Sequence, residues 1–309
     1  MAKVTISLLG CDRTRWDVAG PLAGRQGAII AEEQVDGIYD APIKQEWSED
    51  ADQVGGTWEH TTWGIREILL GFHLFEDDYP GPDGRLESNF RNAFAMHRDQ
   101  WDPNFRHARL VCRTELSGVR MLTVQMYEAP EIDLGMDPLD EQYFNVKYKL
   151  RAANPMWMGK QRVEPFERSG ASGSGTILVS NPTDQPMRIT WKLTRGTWTI
   201  PDPSWVGPPN ARVPGGAFGD RTIPLPTITS ADGGVTITRE RKGLHATTAN
   251  GTNYVGRMAG NWVKHEIPPW TQPTELPISY TGAPSGGARA ELVQPRPWSR
   301  PWGLERIAS

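Results

Sequence analysis

The sequence predicts an all-β protein of two domains, with one helix in the first domain. Three observations carry this. Phe144–Arg151 and Met187–Thr194 alternate apolar and polar residues without error, the period-two pattern of half-buried strands. The 309 residues include 32 Gly and 26 Pro, which suits many short strands joined by tight turns. Only one stretch, Glu87–Trp101, carries a helical stripe.

In chain order, Val4–Leu9 opens the first domain as a strand. Short apolar pieces follow at Ala28–Ile30, Ile38–Tyr39 and Ile43–Trp47. Ile65–Phe75 reads as a buried strand, and Glu76–Gly84 as an exposed acidic loop rich in Pro and Gly. In the helix, Phe90, Phe94, His97 and Trp101 fall on one face at the 3.6-residue period, with Ser88 as N-cap and Pro103 as the stop. Phe90, Phe94 and Trp101 are therefore candidate packing or interface residues. Strands resume at Ala108–Glu115 and Val119–Tyr127 around a Ser117-Gly118 turn. The strand at Phe144–Arg151 ends before Pro155.

Gln161–Gly175 contains Ser-Gly-Ala-Ser-Gly-Ser-Gly and reads as a flexible connector. The division expected is residues 1–163, 164–295 and a C-terminal arm, 296–309. The second domain takes its strands from Thr176–Ser180, Met187–Thr194, Thr197–Ile200, Thr222–Leu225, Val235–Arg239, Ile278–Thr281 and Arg289–Val293, spaced as in a two-sheet sandwich. Pro295–Gly303 is too proline-rich for regular structure. It reads as an extended arm docked on a neighbour through Trp298 and Trp302.

The chemistry of an active site has little support. No His-x-x-x-His, Cys-x-x-Cys or Glu-x-x-His spacing occurs, so neither metal nor cofactor is expected. His97 lacks a second ligand at helical spacing, and Glu32-Glu33 and Asp77-Asp78 are neighbours that read as solvated loop. Asn250-Gly251-Thr252 has the form of a glycosylation acceptor without a secretory signal beside it. Cys11 and Cys112 are too few for a disulfide framework. The expectation is a soluble chain made in the cytoplasm, without catalytic residues and without a membrane span. Thirteen Trp are many for this length and suggest buried anchors in cores and interfaces. Trp198, Trp205, Trp262 and Trp270, close to turns, are candidates for exposed sugar platforms; Trp191, on a strict alternation, belongs to the core. Charge is uneven. Residues 1–160 carry 17 Lys or Arg against 26 Asp or Glu, a net of −9, whereas 161–309 carry 16 against 11, a net of +5. The split reads either as two solvated surfaces of different isoelectric point or as an acidic first-domain surface that must not adhere to nucleic acid.

Several short motifs recur in one order from Gly37 to Gly303. They are Gly37-Ile-Tyr-Asp-Ala-Pro42, Gly118–Val124, and Tyr148–Trp157 ending in Ala-Asn-Pro-Met-Trp. Then come Gly175–Pro186 with Asn181-Pro182-Thr183-Asp184, Gly233–Ile237, Pro268-Pro269 with Leu276-Pro277-Ile278, and Trp298-Ser-Arg-Pro-Trp-Gly303. In this order the chain resembles the distal tail proteins, or minor tail proteins, of long non-contractile-tailed phages of actinobacteria. The resemblance implies a ring-forming belt domain followed by a galectin-like β-sandwich. It implies a hexamer at the virion tail tip that joins the tail tube protein to the tail-tip protein, with the tape measure protein a further partner. DNA would pass through the ring without specific binding. The alternative is a module that recognises cell-wall glycans. The family offers no catalytic residues.

Overall fold

The computed structural model describes residues 4–76, 85–132, 135, 142–239 and 244–306. Apart from Glu76, the acidic loop expected at Glu76–Gly84 lies outside these residues. Among the described residues the architecture is strands with a single α-helix, as the periodicity predicted. The chain forms two compact units: residues 1–159 with 298–303, and residues 160–297 with 304–309.

The first unit holds β1 (Thr5–Leu9), β2 (Arg15–Ala19), β3 (Ala28–Asp36), β4 (Ile43–Ser48), β5 (Thr57–Trp63), β6 (Arg66–Phe75), α1 (Leu86–Asn92), β7 (Arg109–Thr114), β8 (Gly118–Thr123), β9 (Gln125–Met126), β10 (Glu131–Ile132), β11 (Tyr143–Ala152) and the start of β12 (Trp157–Arg168). One sheet orders β2-β1-β7-β8-β12, and the second orders β10-β11-β6-β3, with β9 also on β11. β6 and β11 pair antiparallel over their full length, from Arg66↔Ala152 to Phe75↔Tyr143. The alternation read from the sequence is visible in β11: Val146, Tyr148, Leu150 and Ala152 are buried, while Lys147 and Lys149 point outward. Lys149 there reaches Glu128 and Glu131, each at 2.8 Å. β7 and β8 form a hairpin in which Thr114 faces Gly118, so the link is the three residues 115–117 and not the expected Ser117-Gly118 pair. Gly118 takes φ +67°, a conformation that favours glycine.

The helix is shorter than its stripe predicted. It ends at Asn92, and residues 93–101 turn and bend. Ser88 lies inside it and caps nothing. The N-terminus is closed instead from the end of β6, where the Glu76 carboxylate accepts the Arg85 N–H at 2.9 Å and the Leu86 N–H at 3.2 Å. At the other end, Ala93 and Phe94 donate to carbonyls three residues back, tightening the last turn. The Cys11 N–H then takes the Ala93 carbonyl at 2.9 Å, and its thiol the Asn92 carbonyl. The helix stops because the Gly10-Cys11 loop competes for its C-terminal carbonyls. A side chain on Gly10 would meet the Ala93 Cα at 2.9 Å. Cys11 and Cys112 are both free thiols, and burial pushes Cys112 up to about 11.

The second unit contains the remainder of β12, then β13 (Gly173–Asn181), β14 (Thr190–Leu193), β15 (Thr197–Pro201), β16 (Trp205–Val206), β17 (Val213–Pro214), β18 (Thr222–Pro224), β19 (Val235–Ile237), β20 (Ala246–Thr248), β21 (Thr271–Thr281) and, as far as Pro297, β22 (Ala288–Trp298). Its two main sheets order β12-β22-β14-β19-β20 and β13-β21-β15-β18. Between them lies a core that includes Phe166, Ile177, Trp191, Trp198, Ile278, Tyr280 and Leu292. The Asn-Pro-Thr-Asp turn is a buried polar knot. Asn181 Nδ2 donates to the carbonyls of Gln185 (2.8 Å), Ile267 and Pro268 (3.0 Å each), and its Oδ1 accepts from Thr183.

Two expectations are corrected here. Gln161–Gly175 is not a flexible connector, since β12 runs to Arg168 and β13 begins at Gly173. The glycines serve packing: a Cβ on Gly173 would meet Tyr280 at 2.8 Å, and one on Gly175 would meet Phe166 at 3.0 Å. The Pro-rich segment from Pro295 is not irregular at its start, because β22 continues through Pro295 and Pro297 to Trp298. Those prolines alternate with buried Gln294 and Arg296. Residues two apart present their N–H groups to the same edge, so the missing donors fall on one side of the strand only.

Candidate assembly surfaces

The sequence-predicted residues separate into two groups. Phe90 and Phe94 come together under β6 and β11. Phe90 lies 4.8 Å from Phe72 and 5.0 Å from Trp16, ring centroid to centroid, and Phe94 stacks on Tyr148 at 4.5 Å. Phe90 is fully buried, so it is core of the first unit. Trp101 does not join them. Beyond the early end of α1 it loses the helical register and stands 82% exposed. His97 is likewise exposed. Phe90→Ala is expected to cost about 3–5 kcal/mol in a urea melt, and Trp101→Ala less than about 0.5 kcal/mol. Equal effects would contradict this division.

Trp298 and Trp302 belong to a short strap, Trp298–Gly303, packed within the first unit. The Arg120 guanidinium lies 3.7 Å over the Trp298 ring, and Trp302 sits 5.0 Å from Tyr39. Two buried arginines hold the strap backbone. Arg66 Nη2 donates to the Ser299 carbonyl at 2.8 Å, while its other nitrogens serve Ile38 (2.9 Å), Gly37 (3.1 Å) and Pro155 (2.8 Å). Arg120 donates to the carbonyls of Arg300 (2.8 Å) and Gly303 (2.9 Å). Burial holds Arg66 down at about 10, with Asp40 opposing that shift. Arg300 in turn reaches Asp40 Oδ1 at 2.5 Å. These arginines escaped sequence reading because nothing in a lone Arg on a strand signals that it is buried.

A third feature was half missed. β4 covers the predicted piece Ile43–Trp47 and adds Ser48, but its partner β5 is absent from the sequence reading, although Thr-Trp-Glu-His-Thr-Thr-Trp has strand composition. The two strands form a separate two-stranded sheet. Ile43 opposes Trp63, Gln45 opposes Thr61, and a bulge in β5 sets Trp47 opposite Trp58. Residues 43, 45 and 47 alternate onto one face, and directly opposed residues share it. That face carries Ile43 (56% exposed), Trp47 (56%), Trp58 (52%) and Trp63 (38%). The other face is polar, with Lys44, Thr62, and Glu46 bridged to His60 at 3.0 Å. A two-stranded hairpin alone is marginal in water, and apolar patches of this kind mark association sites.

In the second unit, Trp198 is fully buried, with its indole N–H on the Thr194 carbonyl at 2.9 Å, and so is no sugar platform. Trp191 is fully buried, as its alternation predicted. Trp205 and Trp270 are half-buried, and the Arg306 guanidinium lies 4.1 Å over the Trp270 ring. Trp262, 40% exposed, lines a cavity of about 450 Å³ with Arg239, His245, Met258 and Lys264. Among the described residues no group of three His, Cys, Asp or Glu could hold a metal ion, and no helix is long and apolar enough to cross a membrane.

No protein-family model matches the chain. The minor tail protein Gp27 of Mycobacterium phage D29 is 25% identical over 97% of this chain and 98% of that protein. The Gp27 minor tail protein of Mycobacterium phage L5 is 24% identical over the same shares. Among solved structures, the SPP1 Dit (gp 19.1) protein, described as a paradigm of the hub adsorption apparatus in phages infecting Gram-positive bacteria, aligns with a TM-score of 0.54 at 12% identity. That alignment covers 94% of this chain and 98% of Dit. The chain is thus a relative, over nearly its whole length, of mycobacteriophage minor tail proteins, and its fold is that of a phage distal tail protein.

Proposed function

We propose that this chain is a structural protein of the virion tail tip, assembling through its first unit into a hexameric ring that joins the tail tube to the tail-tip proteins. The tape measure protein is a further candidate neighbour. The observation that carries the self-assembly is the β4–β5 hairpin, whose Ile43, Trp47, Trp58 and Trp63 face stays 38–56% exposed among the described residues. A hairpin that docks on the next copy makes a heterologous contact, which closes into a ring where the rotation from copy to copy closes. Residues 1–163 would be the belt, 164–295 a galectin-like sandwich on the outside, and the ring's lumen a passage for DNA. The net of −9 in residues 1–160 suits that passage, because acidic walls repel phosphate where basic walls would bind it with strong salt dependence. The role is architectural and needs no catalytic group. It places the protein in the virion after synthesis in the host cytoplasm.

Class averages of the purified full chain by electron microscopy are expected to show sixfold rings with a central channel. A monomer at high concentration would overturn this reading. The Trp262 cavity, with its Arg239, His245 and Lys264 rim, favours a second role in recognising cell-wall glycans. Glycan-array binding that is lost in Trp262→Ala, with assembly unchanged, is the expected sign of that role.

A further inference from the structure

The first unit is acidic overall, yet three arginines converge on one of its cavities. Arg98, Arg106 and Arg109 line a space of about 410 Å³ together with Phe105, His107 and Thr123. Arg98 and Arg106 are exposed, and Arg109 is half-buried on β7. Among the described residues none of the three guanidiniums has an acidic or hydrogen-bonding partner. His107 Nδ1 is also buried there without a partner. Burial and the nearby Arg98 hold His107 below its ordinary range, so at neutral pH it leaves the site's charge to the arginines. Three unpaired planar forks around one cavity suit an oxyanion, either carboxylate or phosphate.

The same unit presents a complementary group elsewhere. The turn at the tip of the β4–β5 hairpin reads Glu49-Asp50-Ala51-Asp52, and all four residues are exposed. None of the three carboxylates is ion-paired among the described residues, and in one chain none meets the arginine cavity. The six residues of β4 carry this tip about 20 Å from the hairpin base, at roughly 3.4 Å per residue. We infer that the acidic hairpin tip of one copy seats in the Arg98–Arg106–Arg109 cavity of the next. This rests on the ring reading above and specifies its contact. The tryptophan face supplies buried area, and the charge pairing fixes register and direction, since a tip-to-cavity contact is head-to-tail. A carboxylate from a second copy is favoured over nucleic-acid phosphate by the net of −9 over residues 1–160, which repels DNA but leaves every copy carrying the acids required.

Charge reversal in the full chain tests this by native mass spectrometry and sedimentation at low and high salt. Arg98→Glu with Arg106→Glu is expected to weaken association at least ~10-fold, as is Glu49→Lys with Asp50→Lys. Combining the four substitutions is expected to recover most of the loss. Arg109 is left in place to spare β7, and circular dichroism melts check that each variant folds. A reversed cavity that assembles like the parent, or a combination no better than either half, would overturn the inference. Loss of binding to a short DNA duplex with assembly intact would assign the cavity to phosphate and overturn it equally. Rings that survive both charge reversals but fail on loss of the hairpin tryptophans would leave the ring reading standing and remove this contact alone. A parent chain that stays monomeric removes both.

Discussion

Replacing Arg66 by methionine is expected to lower the stability of the first unit by about 3–5 kcal/mol, a loss seen as an earlier urea midpoint. Arg66 is fully buried and feeds the carbonyls of Ile38, Gly37, Pro155 and Ser299. Each buried carbonyl left without a donor costs about 1–3 kcal/mol. Part of that sum is offset, because methionine relieves the desolvation that already depresses the guanidinium to about 10. The net loss should still exceed that of any exposed pair. Arg151, bonded at 2.6 Å to Glu67 with both side chains about half exposed, is the control: Arg151→Met should cost less than about 1 kcal/mol. A chain ending at Pro297 should be destabilised at least as much as Arg66→Met, since it strips partners from Arg66 and Arg120 together and removes Trp298 from beneath the Arg120 guanidinium. If Arg66→Met and Arg151→Met melt alike, the strap does not secure the first unit.

Arg66 also shows where the sequence stops being readable. β6 is legible as a buried strand because Ile65–Phe75 is a long apolar-rich run, and in the structure Ile68, Leu70, Phe72 and Leu74 share its buried face. Arg66 occupies the next position on that same face, and its charge hides its burial. The partners that make the burial tolerable lie up to 233 residues away, a distance no local pattern spans. The helix fails for a related reason. Its aromatic stripe is real as far as Phe94, but the Cys11 N–H captures the Ala93 carbonyl, and a contact from 82 positions upstream ends a helix that composition would have continued. In the second unit, β21 and β22 each run 11 residues, although the sequence suggested four or five. Prolines within both concealed their length, because proline marks a strand's end unless its missing N–H faces an unused edge. The glycines of residues 161–175 misled in the opposite direction, since room beneath Tyr280 and Phe166 and chain flexibility call for the same residue. Of the five candidate packing or interface residues, Phe90 and Phe94 pack internally and Trp298 and Trp302 pack within the first unit. Trp101 stays exposed, while of the hairpin's exposed apolar face the sequence shows only one short strand.

That face gives the second large effect. Trp47→Ser with Trp58→Ser is expected to convert the assembled protein to monomer while leaving its melting temperature within about 2 °C of the parent. The two indoles oppose each other across the hairpin at 56% and 52% exposure, so the monomer loses little packing when they go. In an interface each buried Trp is commonly worth about 2 kcal/mol or more, so losing both should weaken one contact by roughly a thousandfold. In a closed ring every copy uses the contact twice, once as donor and once as acceptor, so the loss repeats at each joint and closure fails as a whole. The polar face offers the matched control. Thr62 and His60 both lie on β5, on the face turned away from the indoles. Thr62→Ser with His60→Gln should leave the mass in sedimentation equilibrium unchanged. Rings from the tryptophan variant would mean that the exposed aromatic face serves another partner. Monomers from both variants would mean that the hairpin as a whole, and not its apolar side, makes the joint.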